Sequence, residues 1–333
     1  MAAIILFPVP FKSRMAELEN RILNIQSEAD GQLGVYIEDL RVDDKLGYRA
    51  DRNWYLSSVV KVFIGVAVLQ LADGGDFLLT DKVCLEGSDY VDGAGELQSR
   101  KRGECYSIKT LLKKMISDSD STAADMLLRL VGEDRLNDQI IIGISASGIG
   151  QITSFTQVRK DAYGELHPGA KELTNKDFIE LKNIKDHNAR LLALLKKLKL
   201  KKEDLLVPSI DEAFERYYST GLNSATLVAV GEVLRRVVRG ELLSKESTEY
   251  FLEIMKEANT GEHRIKAGLP RDVRFAYKTG TQIKRMCNVG IIMSEDEVSE
   301  IIIAACIEGY SDQDKAEETL KKVGEAISEK LLT

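Results

Sequence analysis

The sequence predicts an α+β chain in which an antiparallel sheet, built from both termini and flanked by helices, carries an inserted all-α subdomain. Three observations predict it. Segments rich in β-branched residues cluster at the two ends of the 333 residues. The middle is dominated by segments with apolar residues at helical spacing. The C-terminal strand segments are joined by links too short for a crossover, so they are expected to be antiparallel neighbours. The implied division is a sheet subdomain from residues 1–65 and 265–333 and a helical subdomain from residues 66–264, with a cleft where the two meet.

In chain order, Met15 to Ile25 places Leu18, Ile22, Leu23 and Ile25 at helical spacing. Leu33 to Leu40 alternates like a half-buried strand, and Leu46 to Ala50 reads as a second one. The apolar run Val62 to Leu71 predicts a buried helix ending at Asp73-Gly74-Gly75. Leu79 to Glu104, with Gly93-Ala94-Gly95, reads as loop. Helices are then expected over Ile108 to Ile116, Thr122 to Val131 and Arg135 to Ile142. A more polar stretch from Gly143 to Thr220 holds helix candidates at Asn175 to Ile184, Asn188 to Leu198 and Ile210 to Tyr218. Helices resume at Ser224 to Arg239 and Ser244 to Ala258. Strands follow at Val273 to Thr279, Cys287 to Met293 and Glu300 to Ile307. The apolar stripe Ala316, Leu320, Val323, Ile327 and Leu331 predicts a last helix over Asp312 to Leu332.

Composition narrows the functional classes. Hydrophobic content of 44% and charged content of 30% suit a soluble globular protein, and a net charge of −7 argues against nucleic acid as a partner. The Lys-rich run Lys196 to Lys202 reads as a solvated helix end. Met1 to Pro10 is too short to span a bilayer and, lacking basic residues before its apolar run, makes a poor signal peptide. Cys84, Cys105, Cys287 and Cys306 show no metal-ligand spacing; Cys84 with Cys105 closing a loop and four unlinked thiols are both open readings. His167, His187 and His263 have no ligand partner at a useful spacing, so neither a metal nor another cofactor is expected.

The chemistry gathers at Leu56-Ser57-Ser58-Val59-Val60-Lys61. A hydroxyl and an amine three residues apart at a helix start project from one face of its first turn. That suits a nucleophile with its base, provided burial and a neighbouring cation hold the amine neutral. Two further triplets support it: Ser119-Asp120-Ser121 between two helices, and Lys278-Thr279-Gly280 followed by Thr281 at a strand end.

In this order and setting the three motifs resemble those of the class A β-lactamases and related penicillin-recognising serine enzymes. The resemblance covers Gly34 to Gly75, Gly93 to Met126 and Leu222 to Leu332. It implies the β-lactamase/DD-peptidase-like fold, Ser58 as nucleophile, Lys61 as proton acceptor, and Ser119 as relay to the leaving nitrogen. It further implies Lys278 as a source of positive potential beside Ser119. Ser121, Thr279, Gly280 and Thr281 would bind substrate, and the backbone N–H groups of Ser58 and Thr281 would form an oxyanion hole. Asp120 is expected to brace the loops as a buried, hydrogen-bonded carboxylate.

The pattern also departs from the family. Ser121 stands where its second motif ends in asparagine. The family's deacylating glutamate lies two residues after an arginine, and in Arg159-Lys160-Asp161-Ala162-Tyr163-Gly164-Glu165 that slot holds Asp161, with Glu165 at the neighbouring asparagine's place. Both are candidate bases. The helices near 173–218 are longer than the family requires. Its carboxylate-binding arginine has no clear match: Cys287 and Asn288 hold the register, with Lys284 and Arg285 nearby.

The expectation is therefore a monomeric, exported (periplasmic or secreted) serine hydrolase that forms an acyl-enzyme with a small-molecule β-lactam and hydrolyses it slowly. A D-Ala-D-Ala peptidase acting on cell-wall peptide, an esterase, and a non-catalytic binding module are the other readings.

Overall fold

A computed structural model describes residues 11–144, 147–294 and 298–332. The expectation for Met1 to Pro10 therefore lies outside the described residues. Nine strands occur among them: β1 (Gln32–Asp39), β2 (Asp44–Tyr48), β3 (Asn53–Tyr55), β4 (Lys82–Cys84), β5 (Cys105–Ser107), β6 (Ser224–Thr226), β7 (Arg274–Gln282), β8 (Arg285–Met293) and β9 (Ser299–Glu308). Five form one antiparallel sheet in the order β2-β1-β9-β8-β7, so the two termini do build it together, and β7 is an edge.

Period-two alternation splits this sheet between two cores. Leu33, Val35 and Ile37 of β1, Ile301, Ile303, Ala305 and Ile307 of β9, and Phe275 and Tyr277 of β7 pack with the terminal helices Phe11–Glu28 and Gln313–Leu331. Leu18, Ile22, Leu320, Val323 and Ile327 supply the helical side. Each such fully buried aliphatic side chain stabilises the fold by about 1.5–3 kcal/mol. The opposite face, with Ile302, Ala304, Ala276 and Val289, packs into a larger core shared with the helical half. Lys278 lies two residues beyond Ala276 in β7, so alternation turns it toward the helical half as well.

Helix Lys61–Asp73 runs through that larger core, with nearly every side chain from Lys61 to Leu71 buried. Helices Ile108–Ser117, Ser121–Val131, Leu227–Val238 and Lys245–Lys256 surround it. Several boundaries differ from expectation. Residues Ser224–Thr226 begin the Leu227–Val238 segment as a strand paired with β3, and 136–141 is π-helical between two single turns. The Leu79 to Glu104 stretch is bounded by β4 and β5, which pair directly and are tied by the Cys84–Cys105 disulfide. A second disulfide joins Cys287 of β8 to Cys306 of β9, so the reading as four unlinked thiols is corrected. The larger surprise is helix Phe155–Gly164, where the sequence offered no helix candidate. With Asn175–Lys182, His187–Leu198 and Ile210–Ser219 it encloses a third core around Tyr163, Leu166, Phe178, Leu194 and Phe214.

No helix among the described residues is long and apolar enough to cross a membrane.

Candidate active site

The site forms where the end of β7 meets the start of helix Lys61–Asp73. Ser58 sits in a single 3-10 turn, Ser57–Val60, ahead of that helix. Ser57 has φ +50° and Ser119 φ +58°, sparsely populated values for residues with a side chain, so both ends of the constellation hold backbone strain. Ser57 is anchored by its Oγ donating to Thr281 O at 2.9 Å. In an extended strand a residue's N–H and C=O point to the same edge, so the Thr281 N–H also faces the Ser58 turn. Gly280 makes the approach possible. A Cβ there would run into Leu56 O and lie 3.1 Å from Ser58 N.

Lys61, one turn beyond Ser58, is fully buried and its Nζ lies 3.2 Å from Ser58 Oγ. It also donates to Ser119 O (2.5 Å) and reaches Ser119 Oγ (3.3 Å) and Ser121 Oγ (3.2 Å). Lys278, equally buried, donates to Ser119 Oγ at 2.8 Å and to Thr279 O at 3.0 Å. Ser119 Oγ therefore bridges two amines. Two ammonium groups sharing one hydroxyl away from water repel each other, which favours a neutral form for one of them.

The local electrostatics agree. Burial takes the Lys61 amine down to about 7, against the pull of Asp120 and Asp125 and with Arg159 adding to the fall. Burial, then Lys61 and Arg264, pushes Lys278 well below its ordinary value. A neutral amine can accept a proton, and its population grows as pH rises through about 7, so acylation of Ser58 with Lys61 as its base would climb through that midpoint and then level off. A rate that fell as the pH was raised would contradict a neutral Lys61 base.

Asp120 behaves as expected of a brace. It is buried, caps helix Ser121–Val131 by accepting from Ala123 N (2.9 Å), and accepts from Leu97 N (2.9 Å). Asp125, one turn further along the same helix, accepts from Phe155 N (2.7 Å) and Thr156 N (2.9 Å), and burial raises its carboxyl to about 7.

That grip decides what the next segment offers. It fixes the start of helix Phe155–Gly164 beside Lys61, and the side chain delivered there is the Phe155 ring, its centroid 4.6 Å from Lys61 Nζ. Asp161 lies six residues on, about 9 Å along the helix axis. Its carboxylate accepts from Gln157 Nε2 (2.8 Å) and faces Lys171 (3.7 Å). Glu165 falls just past the helix end, its N–H bonded to Asp161 O. Neither candidate base is among the residues that line the cavity, because a segment coiled into a helix carries positions counted from Arg159 away from it.

The cavity in front of Ser58 is about 170 Å³. Ser58, Ser119, Ser121, Thr279 and Thr281 all reach its wall, joined by Phe155, Arg159, Lys182 and Arg264. No aspartate or glutamate lines it, and the described residues hold no cluster of groups suited to a metal.

Sequence reasoning missed Arg264. Its Nη2 donates to Thr281 Oγ1 (2.8 Å) and to Glu317 Oε1 of the C-terminal helix (3.1 Å). It brings a guanidinium to the cavity wall beside the third motif, arriving from the segment before β7. Lys284 and Arg285 are engaged elsewhere, with Asp211 (3.2 Å) and Glu215 (2.6 Å). Cys287 is in a disulfide, and Asn288 is buried with its Nδ2 donating to Lys278 O (3.4 Å). Nothing local marks Arg264, because its position depends on the 3-10 turn Ile265–Gly268 nesting against Gly324 of the last helix.

Comparison with known proteins bears on this arrangement. The model of a family described as the beta-lactamase enzyme family matches residues 17–331. Beta-lactamase VEB-1 of Pseudomonas aeruginosa is 23% identical over 288 residues, which cover 85% of this chain and 77% of that protein. Among solved structures, a beta-lactamase from Xanthomonas campestris superposes with a TM-score of 0.71 at 21% identity, covering 96% of this chain and 98% of its own. A mutant of PBP-A, solved as an acyl-enzyme complex with penicillin G, gives 0.69 at 19% identity with coverage of 94% and 96%. At these identities the superpositions show a shared fold.

Proposed function

The chain belongs to the beta-lactamase enzyme family and is a serine hydrolase of the class A-like fold, and from that premise we propose that β-lactams acylate Ser58 and are released slowly. As a lactam carbonyl is attacked, the Ser58 proton passes to the neutral Lys61 amine and on through Ser119 to the departing nitrogen. The N–H groups of Ser58 and Thr281 face the developing oxyanion. Arg264 with Thr281, and the positive potential of Lys278, hold the substrate's carboxylate.

The observation that carries slow release is the cavity wall. Hydrolysis of the ester needs a base for the incoming water, and Phe155 stands beside Lys61 with no carboxylate lining the cavity. A mutant of PBP-A, which shares the fold, has been solved with penicillin G as an acyl-enzyme, and that supports the same first step here. A second acyl donor is favoured by the position of β7. It is an edge strand beside the cavity, so an extended cell-wall peptide ending in D-Ala-D-Ala can lie antiparallel to it.

The test is labelling by a fluorescent penicillin, with release of D-alanine from a short peptide measured alongside. Wild-type protein is expected to take up the label, and Ser58→Ala to take up none. Equal labelling of the two proteins would remove Ser58 from the mechanism.

A further inference from the structure

The charges around the Ser58 cavity are unevenly matched. Arg264 is paired with Glu317, and Arg159 with Asp92 (2.5 Å). Lys61 and Lys278 are taken up by the hydroxyl and carbonyl oxygens of the constellation. Lys182 differs: among the described residues no carboxylate lies within ion-pair distance of its ammonium, although its side chain lines the cavity.

The helix fixes its backbone. Lys182 is the last residue of helix Asn175–Lys182, which is anchored by the buried Phe178 and Leu181 and belongs to the helical stretch longer than the family requires. The residue is exposed, and partial enclosure with the nearby Arg159 and Arg190, against the pull of Asp92, draws its amine down to about 8. It also lines a neighbouring cavity of about 330 Å³, which shares Thr281 and Gln282 with the first and continues past His187 and Tyr310. A substrate arm leaving Ser58 along the end of β7 meets Lys182 at the junction. The wall there presents cations and hydrogen-bonding groups, and its one carboxylate, Asp211, is held between His187 (2.5 Å) and Lys284 (3.2 Å).

We infer that Lys182, backed by Arg159, forms a second anion subsite, and that the protein prefers acyl donors carrying a carboxylate on the acyl side chain in addition to the one that faces Arg264. This deepens the acyl-enzyme reading and rests on it for the direction in which the side chain points. The subsite gives the extra helices a role, since they place a cation the three motifs do not provide.

Penicillin G and carbenicillin form a matched pair, differing by one carboxylate on the side chain. Their affinities for Ser58→Ala protein, measured by titration calorimetry, test the subsite without any covalent step. At low salt carbenicillin is expected to bind about fivefold more tightly, the worth of one partly exposed ion pair. That advantage is expected to shrink as salt is added and to vanish in Ser58→Ala/Lys182→Gln. Equal affinity for the two compounds, or a preference that survives Lys182→Gln, would overturn the subsite. Failure of wild-type protein to form an adduct with either compound is a separate result: it overturns the acyl-enzyme reading, while the calorimetry still decides the subsite.

Discussion

Lys61→Ala is expected to slow acylation of Ser58 by penicillin G about 10³-fold, within the range that a positioned general base contributes. The geometry gives the reason. Lys61 Nζ is the basic atom in contact with Ser58 Oγ, at 3.2 Å, and without it the hydroxyl proton has no acceptor of suitable pKa. Lys61→Arg separates this role from simple electrostatics. A guanidinium keeps the positive charge but does not lose its proton in proteins, so the variant is expected to be as slow as the alanine one. Acylation rates from stopped-flow mixing, with thermal unfolding as a check on folding, make the comparison. Activity retained by Lys61→Arg would mean that charge, and not proton transfer, is what Lys61 supplies.

Phe155→Glu is expected to do the opposite to the second step, shortening the life of the adduct about 10²-fold. The new carboxylate would enter the position the ring now holds, 4.6 Å from Lys61 Nζ to the ring centroid, where it can take a proton from an attacking water. The substitution carries a second signature. A carboxylate beside Lys61 favours the ammonium and raises its pKa from about 7, so the midpoint of the acylation profile moves to higher pH. Faster decay together with that upward shift is the expected pair of results. An adduct as long-lived as that of the wild type would show that the missing base is not what limits release.

The sequence disclosed the parts of this site that are local. Ser58 and Lys61 lie three residues apart across the junction of the 3-10 turn and the helix, and Lys278 follows the alternation of its strand, so spacing read together with the motif resemblance pointed to them. The antiparallel pairing of the last three strands was legible for a similar reason, since the links between β7, β8 and β9 are too short for a crossover. What stayed hidden depends on contacts between distant segments. Asp161 looked right by its distance from Arg159, but Asp125 grips the backbone of Phe155 and Thr156 and thereby starts a helix that carries Asp161 away. Arg264 reaches Thr281 because a turn before β7 packs on the last helix, a contact with no signature in the chain around it. The disulfides were ambiguous because spacing does not reveal register. The structure sets Cys84 opposite Cys105 and Cys287 opposite Cys306 across paired strands.

The account turns on Ser58 accepting an acyl group faster than water can remove it. Intact-mass measurement over time, after mixing wild-type protein with penicillin G and then removing the excess, reads both halves of that statement. The predicted result is one penicillin per chain, located on Ser58 by peptide mapping, that appears quickly and persists after the free compound is gone. A mass that never changes while the penicillin remains intact, or an adduct located on any other residue, would contradict it.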